Sequence, residues 1–402
     1  MSSRRPARKA FEAVLLVSGL VAIALNQRPT IVAAGVLVGE LRTDTGIGAA
    51  PASLLTTLPL ACFGVFALLA PPMGRRLGLD RTLAIALTVL LVGICLRLAP
   101  SLAALFIGTA IAGSGIAVTN VLLPSVIKRD FPDRLGSAMG AYSVLLSGGA
   151  ALASVATIPM GEILGTGWRT TLAVWGVLVV VALGLWLPRT FRRQHAADHT
   201  EMYPPAGIWR SPLAWSVAGF MALQSLVYFA LIAWLPALLH DSGLTQARAG
   251  FMSAVMGAVG IVASFVVPVL ASKTTSQRSL VVVTAGTFAA GVAGLLWEPA
   301  AGVWLWMVLL GIGQGAGIGL VLTLFALRTT DSAMAAELSG MAQAVGYLVA
   351  ATGPTIIGVQ HEVSGSWTLP LVTLIVVVGG LLVSGWFAAA NRTVQRRSPE
   401  RS

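Results

Sequence analysis

The stretch "RTFRRQHAADHTEMYPPAGIWR", residues 189 to 210, is the longest polar run in the chain and falls near its midpoint. Both flanks are overwhelmingly apolar. Of 402 residues, 56% are hydrophobic and only 10% charged, far more apolar surface than a soluble chain of this length needs to bury. In windows of about 20 residues the flanks resolve into blocks long enough to cross a hydrocarbon core of roughly 30 Å as helices. These lie near 11–37, 51–72, 81–98, 101–126, 136–160 and 168–187 before the polar run, and 212–239, 247–271, 279–297, 302–327, 334–359 and 366–390 after it. The pattern predicts an all-α integral membrane protein of twelve transmembrane helices. Its two six-helix bundles are 1–188 and 211–402, joined by a cytoplasmic linker, 189–210.

A net charge of +11 raises the question of a nucleic-acid partner, which would need the basic residues gathered into one patch. They are instead spread over alternate loops. Of 26 lysines and arginines, Arg42, Arg97, Arg169 and Arg248 fall at outer loops or helix ends, Arg28 lies inside a span, and the rest are on the inner side. That is the positive-inside distribution, and it predicts both termini in the cytoplasm of a cell, inner or plasma, membrane. The expected surroundings are a lipid bilayer and no nucleic acid. The basic start followed by an apolar run is like a signal peptide, yet Arg28 and Pro29 interrupt that run and it is too long, so span 1 is expected to stay attached. Cys62 and Cys95 lie within spans and read as small packing residues, not as a disulfide or metal ligands.

Sliding the second half over the first by about 200 positions sets "GSGIAV" from Gly113 beside "GQGAGIGL" from Gly313. The same offset aligns Gly115 with Gly315, Lys128 with Arg328 and Gly140 with Gly340. Parallel six-span repeats with inside termini are the pattern of secondary transporters whose substrate site lies near the midplane.

One residue violates the apolar rule of its span. In "ALNQRPTIVAAG", residues 24 to 35, Arg28 lies about 17 residues into span 1, roughly 25 Å along a helix. An arginine at that depth costs about 2.5 to 3.5 kcal/mol on insertion scales, so it must face protein or water. Pro29 disfavours helical backbone at Arg28 and removes a donor, which predicts a broken helix beside the charge. No Asp or Glu stands at comparable depth in any span. Two readings follow: an arginine that caps carbonyls between packed helices, or one whose carboxylate-like partner is the substrate, matched by the planar guanidinium fork.

Four stretches carry a resemblance to a known family. "LNQRPTIVAAGVLVGELRTDTGI", "LLTTLPLACFGVFALLAPPMGRRLGLDR", "GIAVTNVLLPSVIKRDFP" and "LQSLVYFALIAWLPALLHDSGLT" resemble the cyanate and nitroimidazole transporter branch of the major facilitator superfamily. The resemblance implies a small anionic or polar substrate moved by alternating access, and a functional monomer. The chain departs from the superfamily in "MGRRLGLDR", where Arg75 stands at the position usual for an aspartate, and in span 5, where Ala153 and Ser154 replace the Gly-Pro that follows Gly140 and Gly149 in antiporters.

The repeat offset places Tyr228 of span 7 at the register of Arg28, with Gln224 one turn earlier on the same face. Further polar residues at useful depth are Asn26 beside Arg28, Asn120 with Thr119, Tyr142, Gln314, and the pair Gln343 and Tyr347. Each is read either as a substrate contact or as an interhelical hydrogen bond. Lys128, Arg129 and Asp130, after span 4, read as topology determinants or as a cytoplasmic gate, and Glu337 as a peripheral proton carrier. No Walker-type phosphate loop, metal cluster or nucleophile triad occurs in the sequence, so neither an enzyme nor a cofactor is expected. The rivals to a small-anion carrier are an exporter of nitroaromatic compounds and a non-transporting membrane sensor.

Overall fold

The twelve apolar blocks form helices, several of them broken. A computed structural model describes residues 4–165, 167–191 and 207–394, with side chains from Glu12 onward except at 49, 50, 53 and 56. Most of the expected linker, 192–206, lies outside the described residues. In chain order the helices are α1 (Arg4–Leu25), α2 (Pro29–Val36), α3 (Val38–Thr45), α4 (Ala49–Phe66), α5 (Ala70–Leu77), α6 (Leu79–Leu96), α7 (Leu102–Asp130), α8 (Leu135–Leu164), α9 (Trp168–Val174) and α10 (Gly176–Thr190). After the linker come α11 (Pro212–Asp241), α12 (Gln246–Lys273), α13 (Arg278–Trp297), α14 (Val303–Leu327), α15 (Ser332–Ala350), α16 (Gly353–Ser364) and α17 (Thr368–Ala388). No strand occurs among the described residues.

Among the described residues, eleven helical segments are long and apolar enough to cross a membrane, and a bent pair makes a twelfth. That pair is α4 and α5, with Thr57–Phe66 and Ala70–Leu77 at 53° to each other. Pro71 and Pro72 cause the bend: neither can donate to the carbonyl four residues back. Tightened bonds from Leu68 N to Val65 O (3.3 Å) and Leu69 N to Phe66 O (3.1 Å) close the last turn instead. Span 11 breaks for the same reason where Pro354 opens α16, and Trp234 of α11 donates its indole N–H to the Pro354 carbonyl at 2.7 Å.

The chain divides into two compact units. One is Met1–Leu123 with Leu145–Pro204, the other Pro124–Val144 with Pro205–Ser402. The hairpin 124–144, which joins the ends of α7 and α8, groups with the later helices. Glycines allow that grouping, because a Cβ at Gly136 would stand 2.8 Å from Pro268 O, and one at Gly140 2.8 Å from Phe265 O. In the first unit an apolar cluster of Ala33, Leu37, Leu41, Leu55, Leu105 and Trp175 fixes α2 and α3 against their neighbours. In the second, α12 and α14 touch backbone to backbone, since a Cβ at Gly315 would lie 1.9 Å from Gly260 O. Small residues serve this purpose in lipid, where close packing replaces the hydrophobic drive.

Large apolar side chains point outward along these helices: Val155, Ile163 and Val376 are 76%, 83% and 68% exposed. In water such a surface would aggregate; against hydrocarbon it is the solvated face. Trp209 and Trp215 at the start of α11, Trp297 and Trp304 between α13 and α14, and Trp386 near the end of α17 are also exposed, as residues of the interfacial belts are.

Candidate functional site

The break between α1 and α2 falls where the sequence predicts it. Asn26, Gln27 and Arg28 form a turn, and Arg28 is the N-cap residue of α2 with φ −121° and ψ −35°. That φ is the one a residue before proline prefers, whereas the ψ stays near the helical value that proline disfavours. Pro29 then occupies the first helical position, where its missing N–H costs nothing. Ile31 N and Val32 N both donate to Arg28 O, at 3.1 and 3.0 Å, and restart the helix.

Three side chains hold the broken segment to its neighbours. The Asn26 amide donates to Ala22 O at 2.8 Å and across to Leu178 O of α10 at 2.9 Å. Gln27, 2% exposed, accepts from the Thr119 hydroxyl of α7 at 3.3 Å. Arg97, just past the end of α6, donates from Nη1 to Thr30 O at 3.1 Å. On a fourth side Gly149 of α8 lets the backbones meet, since a Cβ there would stand 2.6 Å from Leu25 O. Arg28 is half-buried within this frame and has contacts of its own, as does the neighbouring candidate Asn120, which is buried on α7. The first unit therefore carries Asn26 and Arg28 at the break, with the Asn26 amide turned toward α10, and Asn120 on α7 next to Thr119, the residue that bonds Gln27.

The second unit carries the other candidates. Gln224 is 2% exposed; its amide nitrogen donates to Ser225 Oγ at 2.7 Å and lies 3.6 Å from Met221 Sδ. Gly317 of α14 faces it, a Cβ there meeting Gln224 Oε1 at 3.2 Å. Tyr228, one turn on, is half-buried with its ring edge-on to Phe229. Gln343 donates to Ser339 Oγ one turn back at 2.8 Å, and Tyr347 is buried beside it on α15. Gln314 Oε1 is buried without a hydrogen-bond partner, whereas Tyr142, buried, lies on the hairpin 124–144.

At the far end of α7, Lys128 Nζ donates to Ala326 O at 2.8 Å, to Thr329 Oγ1 at 2.9 Å and to the Thr329 carbonyl. It caps the C-terminus of α14, where exposed carbonyls and the helix dipole favour a cation. Asp331 acts on Lys128 electrostatically and caps α15 by accepting from Met334 N at 2.8 Å. Arg129 and Asp130 pair with each other at 2.8 Å, and Glu337 is half-buried on α15. Arg328, the repeat partner of Lys128, makes different contacts. It is 3% exposed and donates to Ala388 O, Ala389 O and Gln277 Oε1. Burial lowers its pKa to about 10, still well above neutrality.

Sequence does not single out every residue that matters here. By its place at a span end Arg97 reads as an outer cation, yet it is 2% exposed and turned into the first unit. A position at a span end does not say which way the side chain goes. Opposite its stem stands Gly108, where a Cβ would be 3.0 Å from Arg97 Cγ. Asp80, at the start of α6, pairs with Arg189 at 3.4 Å while its carbonyl accepts from Trp186. On α3, Asp44 accepts from Trp168 Nε1 at 2.9 Å and Arg169 Nη1 at 3.1 Å, and those two bonds hold its carboxyl below the usual carboxylate range.

Comparison with known proteins agrees with the architecture. Residues 15–354 match the model of the Major Facilitator Superfamily. An uncharacterized transporter, YycB, of Bacillus subtilis (strain 168) is 38% identical over 99% of both chains. The 2-nitroimidazole transporter of Escherichia coli (strain K12) is 38% identical over 95% of this chain and 97% of its own, and the cyanate transport protein CynX of the same organism 31% identical over 90% and 94%. The solved proton:xylose symporter XylE has a similar fold, with a TM-score of 0.73 at 14% identity over 95% of this chain and 97% of that one. With its broken membrane helices and this kinship, the chain belongs to the major facilitator superfamily, as a multi-pass membrane transporter of small solutes and not an enzyme.

Proposed function

We propose that this transporter moves a compact anionic or strongly polar solute, of the cyanate or nitroimidazole kind, by alternating access, with Arg28 as its principal ligand. The observation that carries the reading is the break at residues 26–28, with a permanent charge at its edge inside a membrane unit. Broken helices in transporters present helix ends and side chains to substrate at the midplane. The names of two relatives, a 2-nitroimidazole transporter and a cyanate transport protein, point to compact solutes rich in acceptor atoms, a planar nitro group in one and a linear anion in the other, which a permanently charged guanidinium can hold. Tyr228 and Gln224, at the same register of the repeat, are the next ligands in line, followed by Asn120, Gln343, Tyr347, Tyr142, Gln314 and Asn26.

In this reading the bodies that move are 1–188 and 211–402, linked by 189–210. Lys128 with Arg129, Asp130 and Glu337 forms the gating and coupling group at the cytoplasmic side of a monomeric carrier. Both termini lie on the cytoplasmic side of the cell membrane. Cysteines replacing Thr200 and Thr275 then react from the cytoplasm, and those replacing Thr45 and Gly243 from outside.

Counterflow in proteoliposomes tests the function. Vesicles preloaded with unlabelled cyanate or 2-nitroimidazole are expected to accumulate the labelled solute transiently and saturably. Saturable binding without counterflow would instead identify a membrane sensor with a transporter's fold.

A further inference from the structure

We propose that Arg97 and Thr30 form a second station for a compact monovalent anion, with Thr30 two residues beyond Arg28. The inference rests on the reading of Arg28 as an anion ligand and extends it to a further pair of residues. Arg97 and Thr30 are 2% and 1% exposed. Of the five N–H donors of Arg97, one is used, from Nη1 to Thr30 O at 3.1 Å. Its Nε is buried with no hydrogen-bond partner, and so is the hydroxyl of Thr30. Among the described residues no carboxylate pairs with Arg97.

A guanidinium taken out of water without a counter-charge is among the most costly arrangements a fold contains. The expense is reasonable if the missing charge arrives with the cargo. The geometry suits such a visitor. With Nη1 committed to Thr30 O, the remaining edge of the fork is formed by Nε and Nη2, two parallel donors spaced for two oxygens of a planar anion. The Thr30 hydroxyl, next to the carbonyl that anchors Arg97, supplies a third donor. The Arg97 stem is held against the backbone at Gly108, and Thr30 lies in the first turn of α2, so both groups are fixed before any anion arrives. Because Arg28 and Thr30 are two residues apart, an anion passing from one guanidinium to the other stays near positive charge.

The test uses the full-length purified protein, with nitrate and benzoate as probes and calorimetric titration as readout. Thr30→Val keeps the side-chain shape and removes a hydroxyl that has no partner, so melting without anion should be unchanged or slightly higher. Affinity for nitrate should fall by about five- to tenfold in Thr30→Val. Arg97→Lys should lose affinity as well; if it does not fold, the Thr30→Val arm stands alone. Wild-type affinity in folded Thr30→Val would overturn the station and leave the two groups to a buried water. Arg28→Ala separates the two claims. If it binds nitrate normally while Thr30→Val does not, the station stands and the role of Arg28 falls; if both bind normally, both fall.

Discussion

Lys128 sits on Thr329: its ammonium donates to the Thr329 hydroxyl at 2.9 Å and also to the Thr329 carbonyl, linking the hairpin 124–144 to the end of α14. Thr329 is 5% exposed beneath this contact. Charge-assisted hydrogen bonds contribute about 1.5 to 3 kcal/mol, so Lys128→Ala should lower the melting temperature and loosen the hairpin. A cysteine at Thr329 should then react faster with a membrane-impermeant maleimide in the Lys128→Ala background than with Lys128 in place. Equal rates would show that Lys128 does not hold this end closed.

The break in span 1 depends on a missing methyl group. At Gly149 a Cβ would lie 2.6 Å from Leu25 O, whereas at Gly148 it would meet nothing within 4 Å. Gly149→Ala should therefore destabilise by about 1 to 3 kcal/mol, as overpacking does, and Gly148→Ala should melt like the wild type. Thermal unfolding of the two variants in the same detergent separates local crowding from a general effect of adding alanine to α8. Equal melting temperatures would remove Gly149 as the support for the break.

These two cases show what the sequence could and could not convey. Span positions, the break at Pro29 and the placement of Arg28 follow from hydropathy and from proline chemistry, both local properties. Proline alone does not predict the outcome, however. Pro236 stands inside an unbroken α11 and Pro268 inside α12, although Pro29, Pro71 and Pro354 each open a new helix. Contacts with neighbouring helices differ between the two cases: just past the breaks Trp234 donates to Pro354 O and Arg97 to Thr30 O. Arg97 itself is hidden in the sequence because an arginine at a span end snorkels to water or turns inward with the same local residues around it. The repeat likewise aligns Lys128 with Arg328, but one cation caps α14 while the other ties down the end of α17.

Asp44 gives a pH dependence of definite sign. Its bonds to Trp168 and Arg169 lower its folded pKa beneath the unfolded value near 3.8. The clasp therefore contributes fully above that value and is lost only as pH falls through the still lower folded pKa. Asp44→Asn should melt below wild type by the same margin at pH 7 and pH 5, and the margin should shrink under about pH 4. A margin that already shrinks between pH 7 and pH 5 would point to a different titrating group.

Proton coupling, where it exists, should involve a peripheral group, since the spans hold no carboxylate at the depth of Arg28. Uptake at fixed substrate ionisation, with and without an imposed proton gradient, addresses this. Gradient-driven uptake abolished by Glu337→Gln would identify the half-buried Glu337 as carrier. Gradient-driven uptake that survives the substitution would remove it from that role.

In the proposed mechanism the charge at Arg28 serves the cargo and not the fold. Binding affinity per folded molecule, measured beside melting temperature for wild type, Arg28→Lys and Arg28→Ala with cyanate and 2-nitroimidazole, separates these two roles. Lysine keeps the charge but not the two-pronged fork, so Arg28→Lys should fold and lose most of its affinity. Arg28→Ala should lose about ten- to a hundredfold or more, the equivalent of a charge-assisted hydrogen bond. Well-folded Arg28→Ala that binds both solutes as tightly as wild type would rule out Arg28 as the ligand.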